Sequence, residues 1–182
     1  MKILLIRHGE VKETYQERFI GSTDAPLSQS GRADCLNLRK SLESYHIEMF
    51  YCSPLRRAIE TLEIIKSDKA PTKIDPRLRE IDFGLWENLR FDEITQKATP
   101  KQLDIWANQP MQMVFPGGES YAEFANRVDE FIKELLHSSF KRVALVTHGG
   151  VLMRMISTWK NIPPERQYEV LPPRGSLTIM ER

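Results

Sequence analysis

Cysteine is scarce, with two in 182 residues, and neither Cys35 nor Cys52 has the CxxC or Cys/His spacing that a zinc site needs. Both fall on apolar stretches, which reads as buried free thiols in a reducing compartment. Charge of one sign is missing as well: 26 Lys and Arg stand against 25 Asp and Glu, a formal net charge of +1. That balance gives no electrostatic footprint for nucleic acid, and no basic block marks a membrane surface. No apolar run approaches the length of a membrane span. The N-terminus reaches Arg7 after too few apolar residues for a secretory h-region. Internal repeats, low-complexity tracts and an evident interdomain linker are also lacking. The expectation is one cytoplasmic domain, with no nucleic-acid or membrane partner, no metal, and no pattern that sets an oligomeric state. A chain of 182 residues is long enough for this, burying roughly two-thirds of its unfolded surface on folding.

What the sequence does have is Ile3-Leu4-Leu5-Ile6-Arg7-His8-Gly9-Glu10. Four aliphatic residues predict a short strand buried on both faces. The run stops at Arg7-His8, which a sheet interior would not tolerate, and Gly9 follows where the chain must turn. A second stretch, Arg142-Val143-Ala144-Leu145-Val146-Thr147-His148-Gly149-Gly150, repeats the arrangement. If both strands are central and parallel, two imidazoles emerge at one sheet edge, where open α/β sheets bind ligands. Histidines beside an arginine there suggest a site for an anion such as phosphate.

Between these stretches, strands and helices alternate. Residues 11–26 form a long polar loop, a length that is usually functional. Ser28 is a plausible cap for a helix with Cys35, Leu38, Leu42 and Tyr45 on its apolar face. Met49 to Cys52 reads as a strand, and Ser53-Pro54 as an N-cap with proline in the first turn of the next helix. That helix carries Arg56 and Arg57 at its start, the wrong sign for the helix dipole unless an anion binds nearby. A surface pair with Glu60, four residues on, accounts for Arg56 but not for Arg57. A short strand is expected around Lys73-Ile74. An acidic and aromatic segment, Glu80 to Asn88, has no regular period. Residues 85–119 look like a cap-like insertion over the sheet edge, containing a helix opened by the capping box Thr99-Pro100-Lys101-Gln102. Ser120 to Glu123 is another capping box. Tyr121, Phe124, Ala125, Val128, Phe131, Ile132 and Leu135 then trace the clearest helical stripe. A last helix starts at Gly149-Gly150, and Ser176 to Met180 reads as a final edge strand. The pattern predicts a three-layer α/β/α sandwich with a mainly parallel central sheet and one antiparallel edge strand.

These residues resemble the histidine phosphatase superfamily, which includes the cofactor-dependent phosphoglycerate mutases. Arg7-His8-Gly9-Glu10 matches its signature, and Ser53-Pro54-Leu55-Arg56-Arg57-Ala58-Ile59-Glu60-Thr61 its second motif. Glu80 with Phe83-Gly84 and Trp86-Glu87 looks like the general-acid segment, and Thr147-His148-Gly149 like the second histidine motif. Within the superfamily, Phe19 to Asp24, Pro26-Leu27-Ser28, Asp82 to Glu87 and Pro116 to Ser120 are similar to α-ribazole phosphatases of cobalamin biosynthesis. Asn88 stands where a glycine is common, Thr14 where mutases place asparagine, and Ile20 where they carry threonine. With the short tail after His148, these departures argue against mutase activity.

The resemblance implies phosphomonoester hydrolysis through a phosphohistidine on His8, without a metal or cofactor. Arg7, Arg57 and His148 would hold the phosphoryl oxygens, His148 favoured as imidazolium by their charge. Glu80, protonated as substrate arrives, would give its proton to the departing alkoxide and then activate water. Implied substrate contacts are Thr14, Ser22, Thr23 and Trp86. The partner is a small phosphorylated metabolite, with α-ribazole 5′-phosphate the foremost expectation. A broad-specificity phosphatase, a mutase-like phosphotransferase, a non-catalytic phospholigand-binding module and a metal hydrolase using the two histidines are the competing readings. The plainer roles are a structural histidine at a strand end for His8 and a helix N-terminal group for His148. His46 and His137 are expected on the surface.

Overall fold

The computed structural model describes residues 1–66 and 70–182. Among the described residues, five strands form one sheet: β1 (Lys2–Arg7), β2 (Met49–Cys52), β3 (Thr72–Ile74), β4 (Arg142–Thr147) and β5 (Leu177–Glu181). Their order is β3-β2-β4-β1-β5. β1, β2, β3 and β4 are parallel, and β5 runs antiparallel along β1 at the edge. The register pairs Ile3 with Val143 and Arg7 with Thr147. The two His-Gly turns therefore leave the sheet side by side at its C-terminal edge.

Because successive side chains of a strand point to opposite faces, each central strand feeds two cores. Ile3, Leu5, Tyr51, Val143 and Leu145 pack on one side with α5 (Tyr121–Leu136) and α6 (Gly149–Lys160). Leu4, Ile6, Phe50, Cys52, Ala144 and Val146 pack on the other with α1 (Gln29–Leu42) and α2 (Arg56–Ile65). The result is a three-layer α/β/α sandwich. Full burial on both faces explains why β1 and β4 read as continuous apolar runs rather than alternating ones. The stripe on α5 is buried from Phe124 to Leu135. Each such large apolar side chain contributes about 1.5–3 kcal/mol as an upper estimate.

The expected caps hold at three of four places. Ser28 Oγ accepts from Gly31 N–H, and the boxes at Thr99/Gln102 and Ser120/Glu123 are both closed. The exception is Ser53. Helix α2 starts at Arg56 after Leu55, not at Ser53, and the free N–H of Arg56 is taken by Asp24 Oδ1 at 2.7 Å. A carboxylate from the 11–26 loop supplies the cap, which leaves the Ser53 hydroxyl for a different partner. Residues 85–119 contain α4 (Pro100–Asn108), preceded by α3 (Phe91–Lys97), a seven-residue helix that the sequence pattern did not announce. Its signal is local: Glu93 reaches back to the Arg90 N–H, and Asp92 lies in the first turn. The aromatic residues of this region stack on one another, Trp86 on Trp106 and Phe115, and Phe19 on Trp106 and Phe83. No helix among the described residues is long and apolar enough to cross a membrane.

Candidate active site

His8 leaves β1 with its side chain buried, 4 % exposed. Its Nδ1 lies 2.7 Å from the Gly9 carbonyl oxygen, an acceptor, so Nδ1 carries the ring proton and Nε2 presents a lone pair. Arg57 Nε donates toward that Nε2 at 3.3 Å. Burial, then the Arg57 charge, push His8 well below the ordinary histidine range, so it is neutral. The end of β1 is tied to α2 through Thr61, whose Oγ1 accepts from Gly9 N–H and donates to the Arg57 carbonyl.

Arg57 is also buried, and most of its remaining N–H groups are spoken for: NH1 donates to the Thr23 carbonyl, and NH2 to those of Ile20 and Gly21. Burial lowers its guanidinium to about 10, with Glu80 and Glu87 opposing the shift. The loop carrying these carbonyls is held in turn by Glu87, whose carboxylate accepts from the N–H groups of Gly21, Ser22, Thr23 and Phe83 and from Thr23 Oγ1. A side chain at position 21 would collide with the Ile81 carbonyl and with Glu87, so only glycine lets the loop approach this closely.

Arg7 donates from NH1 to the Pro172 carbonyl at 2.7 Å, while its buried Nε has no partner. Burial, then Arg174, lower its guanidinium. His148 is fully buried, with its ring centre 5.1 Å from that of His8. Burial first, then Arg57 and His8, push it far below its ordinary value. The imidazolium expected under a phosphate's charge would have to form against this shift, which by itself leaves the ring neutral. The reason is the low dielectric beside two guanidinium groups. Glu80 Oε2 accepts from Gly150 N–H at the start of α6, at 2.9 Å, and Oε1 from Ile81 N–H. A side chain at Gly150 would occupy the place of that carboxylate.

A cavity of about 340 Å³ opens over this group, lined by Arg7, His8, Arg57, Glu80 and Arg174 among others. A second cavity, of about 310 Å³, shares Phe19, Glu80, Phe83, Gly150 and Met153 with the first. It is otherwise walled by side chains such as Trp106, Met113 and Phe115. Glu80 thus stands where a charged cavity meets an apolar one.

The structure brings Arg7, His8, Arg57, Glu80 and His148 together. It separates the four residues expected to contact substrate. Thr14 is exposed in the turn Glu13–Tyr15 and is not among the residues lining either cavity. Ser22 and Thr23 spend their amides on Glu87, Ser22 Oγ donates to Asp82, and Thr23 acts on the site through its carbonyl on Arg57. Trp86 is 2 % exposed and packs within the core, because its indole fills the space between Trp106 and Phe115. Arg56 pairs with Glu60 at 2.7 Å, as its spacing indicated, and His46 and His137 are on the surface.

Two participants escaped the sequence pattern. Ser53 Oγ lies 2.7 Å from His148 Nε2. Arg174, paired with Glu10 at 3.1 Å, stands on the cavity rim, in a turn bracketed by Pro172-Pro173 and Gly175. The Gly175 N–H donates to the His8 carbonyl, which fastens that turn to the lip of β1. A proline pair followed by Arg-Gly was the available signal.

A mainly parallel sheet whose C-terminal edge gathers two histidines, the buried Arg57, the half-buried Arg7 and a carboxylate defines a phosphoryl-handling α/β protein. The Histidine phosphatase superfamily (branch 1) matches residues 3–182, and the chain belongs to that family. It is 29% identical to the adenosylcobalamin/alpha-ribazole phosphatase of Escherichia coli strain K12, across 100% of this chain and 90% of that protein. It is 32% identical to phosphoserine phosphatase 1 of Hydrogenobacter thermophilus over 155 residues, covering 85% of this chain and 73% of the relative. The crystal structure of the alpha-ribazole phosphatase from Shigella flexneri superimposes with a TM-score of 0.90 at 28% identity, covering 100% of this chain and 90% of that one. The chain is a hydrolase of the histidine phosphatase fold.

Proposed function

We propose that this protein hydrolyses a small phosphomonoester through a phosphohistidine on His8, and that the substrate is α-ribazole 5′-phosphate, released for cobalamin nucleotide-loop assembly in the cytoplasm. The observation that carries the chemistry is the His8 ring, its proton fixed on the Gly9 side and its Nε2 lone pair turned toward Arg57. Nε2 attacks phosphorus, the ester P–O bond breaks, and Glu80 gives its proton to the departing alkoxide. Water then attacks the phosphorus of His8-phosphate, the P–N bond breaks, and Glu80 takes the proton from that water. Arg7 and Arg57 spread charge over the equatorial oxygens, which is where phosphoryl transfer gains most of its rate. The unpartnered Nε of Arg7 is a donor left over for those oxygens, and the buried Nδ1 of His148 is likewise without a partner.

The second cavity supports the choice of alcohol. A leaving group departing at Glu80 extends into a space walled by aromatic and methionine side chains, suited to a ring base. We assign residues 1–182 to one histidine phosphatase domain in which the 85–119 insertion shapes that space. A second reading, a carboxylated ester such as phosphoserine, is favoured by Arg174 and Arg18 on the rim and by the Hydrogenobacter relative. Both rim arginines are already paired, with Glu10 and Glu93, which weakens it. The test is kcat/KM for α-ribazole 5′-phosphate, phosphoserine and 3-phosphoglycerate, with free phosphate and isomer assayed separately. A preference of tenfold or more for the ring-bearing ester, with no isomer formed, is expected. A preference for phosphoserine, or isomer as the main product, overturns the assignment.

A further inference from the structure

The two imidazoles are held differently. The Gly9 carbonyl can only accept, so it settles where the His8 proton sits. His148 has no such partner: its Nε2 lies 2.7 Å from the Ser53 hydroxyl, and its Nδ1 is buried without one. A hydroxyl both donates and accepts, so that contact alone leaves two tautomers open.

The rest of the Ser53 environment closes the choice. The side chain is fully buried, and the Leu55 N–H donates to its Oγ at 3.3 Å, occupying a lone pair. Were the His148 Nε2–H to donate as well, the hydroxyl proton would be stranded in a closed interior beside an unsatisfied Nδ1 acceptor. Stranding a buried polar group is strongly disfavoured. With the hydroxyl donating to Nε2, every polar group is used except one N–H. Burial and Arg57 keep His148 neutral, so it has a single ring proton.

We propose that Ser53 is a positioning residue: its hydroxyl donates to His148 Nε2 and so places the ring proton on Nδ1, the nitrogen that meets a phosphoryl oxygen. The second half of this statement rests on the phosphoryl-transfer reading, whereas the proton placement is a property of the free protein. The device supplies a third donor without adding a third positive charge beside Arg7 and Arg57. It is available because Asp24 caps α2 in place of Ser53.

The test is ¹⁵N NMR of the histidine rings in the full chain at neutral pH, without phosphate, with His148→Gln for assignment. His148 is expected to show a protonated Nδ1 and a pyridine-type Nε2. In Ser53→Ala that distribution shifts toward protonated Nε2, and inhibition by inorganic phosphate or orthovanadate weakens about 10- to 100-fold, as for one hydrogen bond to a charged group. Ser53→Thr keeps the wild-type ring signature. A protonated Nε2 in the wild type, or an unchanged ring in Ser53→Ala, overturns the proposal, and the wild-type spectrum decides even if the variants fold poorly. A ring as expected with unchanged phosphate inhibition removes the oxygen contact. Loss of the phosphohistidine reading shows separately, as absence of covalent label on His8.

Discussion

Arg57 Nε lies 3.3 Å from His8 Nε2, and both side chains are buried. The guanidinium points at the lone pair that we propose as the nucleophile and is itself clamped by three backbone carbonyls of the 20–23 loop. A lysine keeps the charge but not the fork, and cannot reach His8 and three carbonyls at once. Arg57→Lys is expected to lower kcat/KM by about 10²–10³, with some loss of Tm. Steady-state kinetics beside thermal unfolding check this, and a fall of less than tenfold would show that the fork is dispensable.

Glu87 is one step further out. Four backbone N–H groups and one hydroxyl converge on its carboxylate. In Glu87→Gln an amide NH₂ faces some of those donors, leaving them unpaired. Stability should fall by roughly 2–3 kcal/mol, and kcat should fall because the carbonyls that hold Arg57 are no longer fixed. Urea unfolding and kcat measured together give the answer. Unchanged values for both would mean that the loop holds its shape without this carboxylate.

Both site histidines are pushed below their ordinary range in the folded protein, chiefly by burial and Arg57. Between about pH 6.5, where an unfolded histidine titrates, and the depressed folded values, the unfolded chain binds more protons. Stability therefore falls as pH falls through that window, by up to about 1.4 kcal/mol per pH unit for each histidine. Carboxylates held low by their partners, such as Asp75 beside Arg77 and Glu60 beside Arg56, lose their contribution only at lower pH. Unfolding free energies at pH 7.5, 6 and 5 should decline in wild type and decline about half as steeply in His148→Asn, where His8 still titrates. A flat wild-type profile contradicts the burial argument.

Trp86 and Trp106 touch each other but face different tasks. Trp86→Ala should cost about 3–5 kcal/mol of stability, with substrate preference little altered. Trp106→Ala, in the wall of the apolar cavity, should cost less stability and selectively lower kcat/KM for esters of ring-bearing alcohols. Specificity tracking Trp86 instead would reverse these roles.

The sheet was legible because β1 and β4 are buried on both faces and announce themselves as apolar runs cut off by polar residues. His8, Arg7 and His148 were legible for the same reason, each marking where such a run ends. Arg57 stood out because its charge opposes the dipole of the helix it opens. The same reasoning misassigned Ser53, since a serine before proline looks like a cap and only the fold shows Asp24 taking that place. Arg174 lies in a separate stretch of chain, and nothing local ties it to Arg7. Trp86 looked like a ligand contact because core and pocket aromatics share one composition, and only packing separates them.

The central claim is that the His8 ring becomes covalently loaded. Rapid-quench mixing with ³²P-labelled α-ribazole 5′-phosphate, or a labelled generic aryl phosphate, tests it most directly. A phosphoprotein that is labile in acid and stable in base, absent in His8→Ala, is predicted. An acid-stable label, or turnover that persists in His8→Ala, would contradict the account.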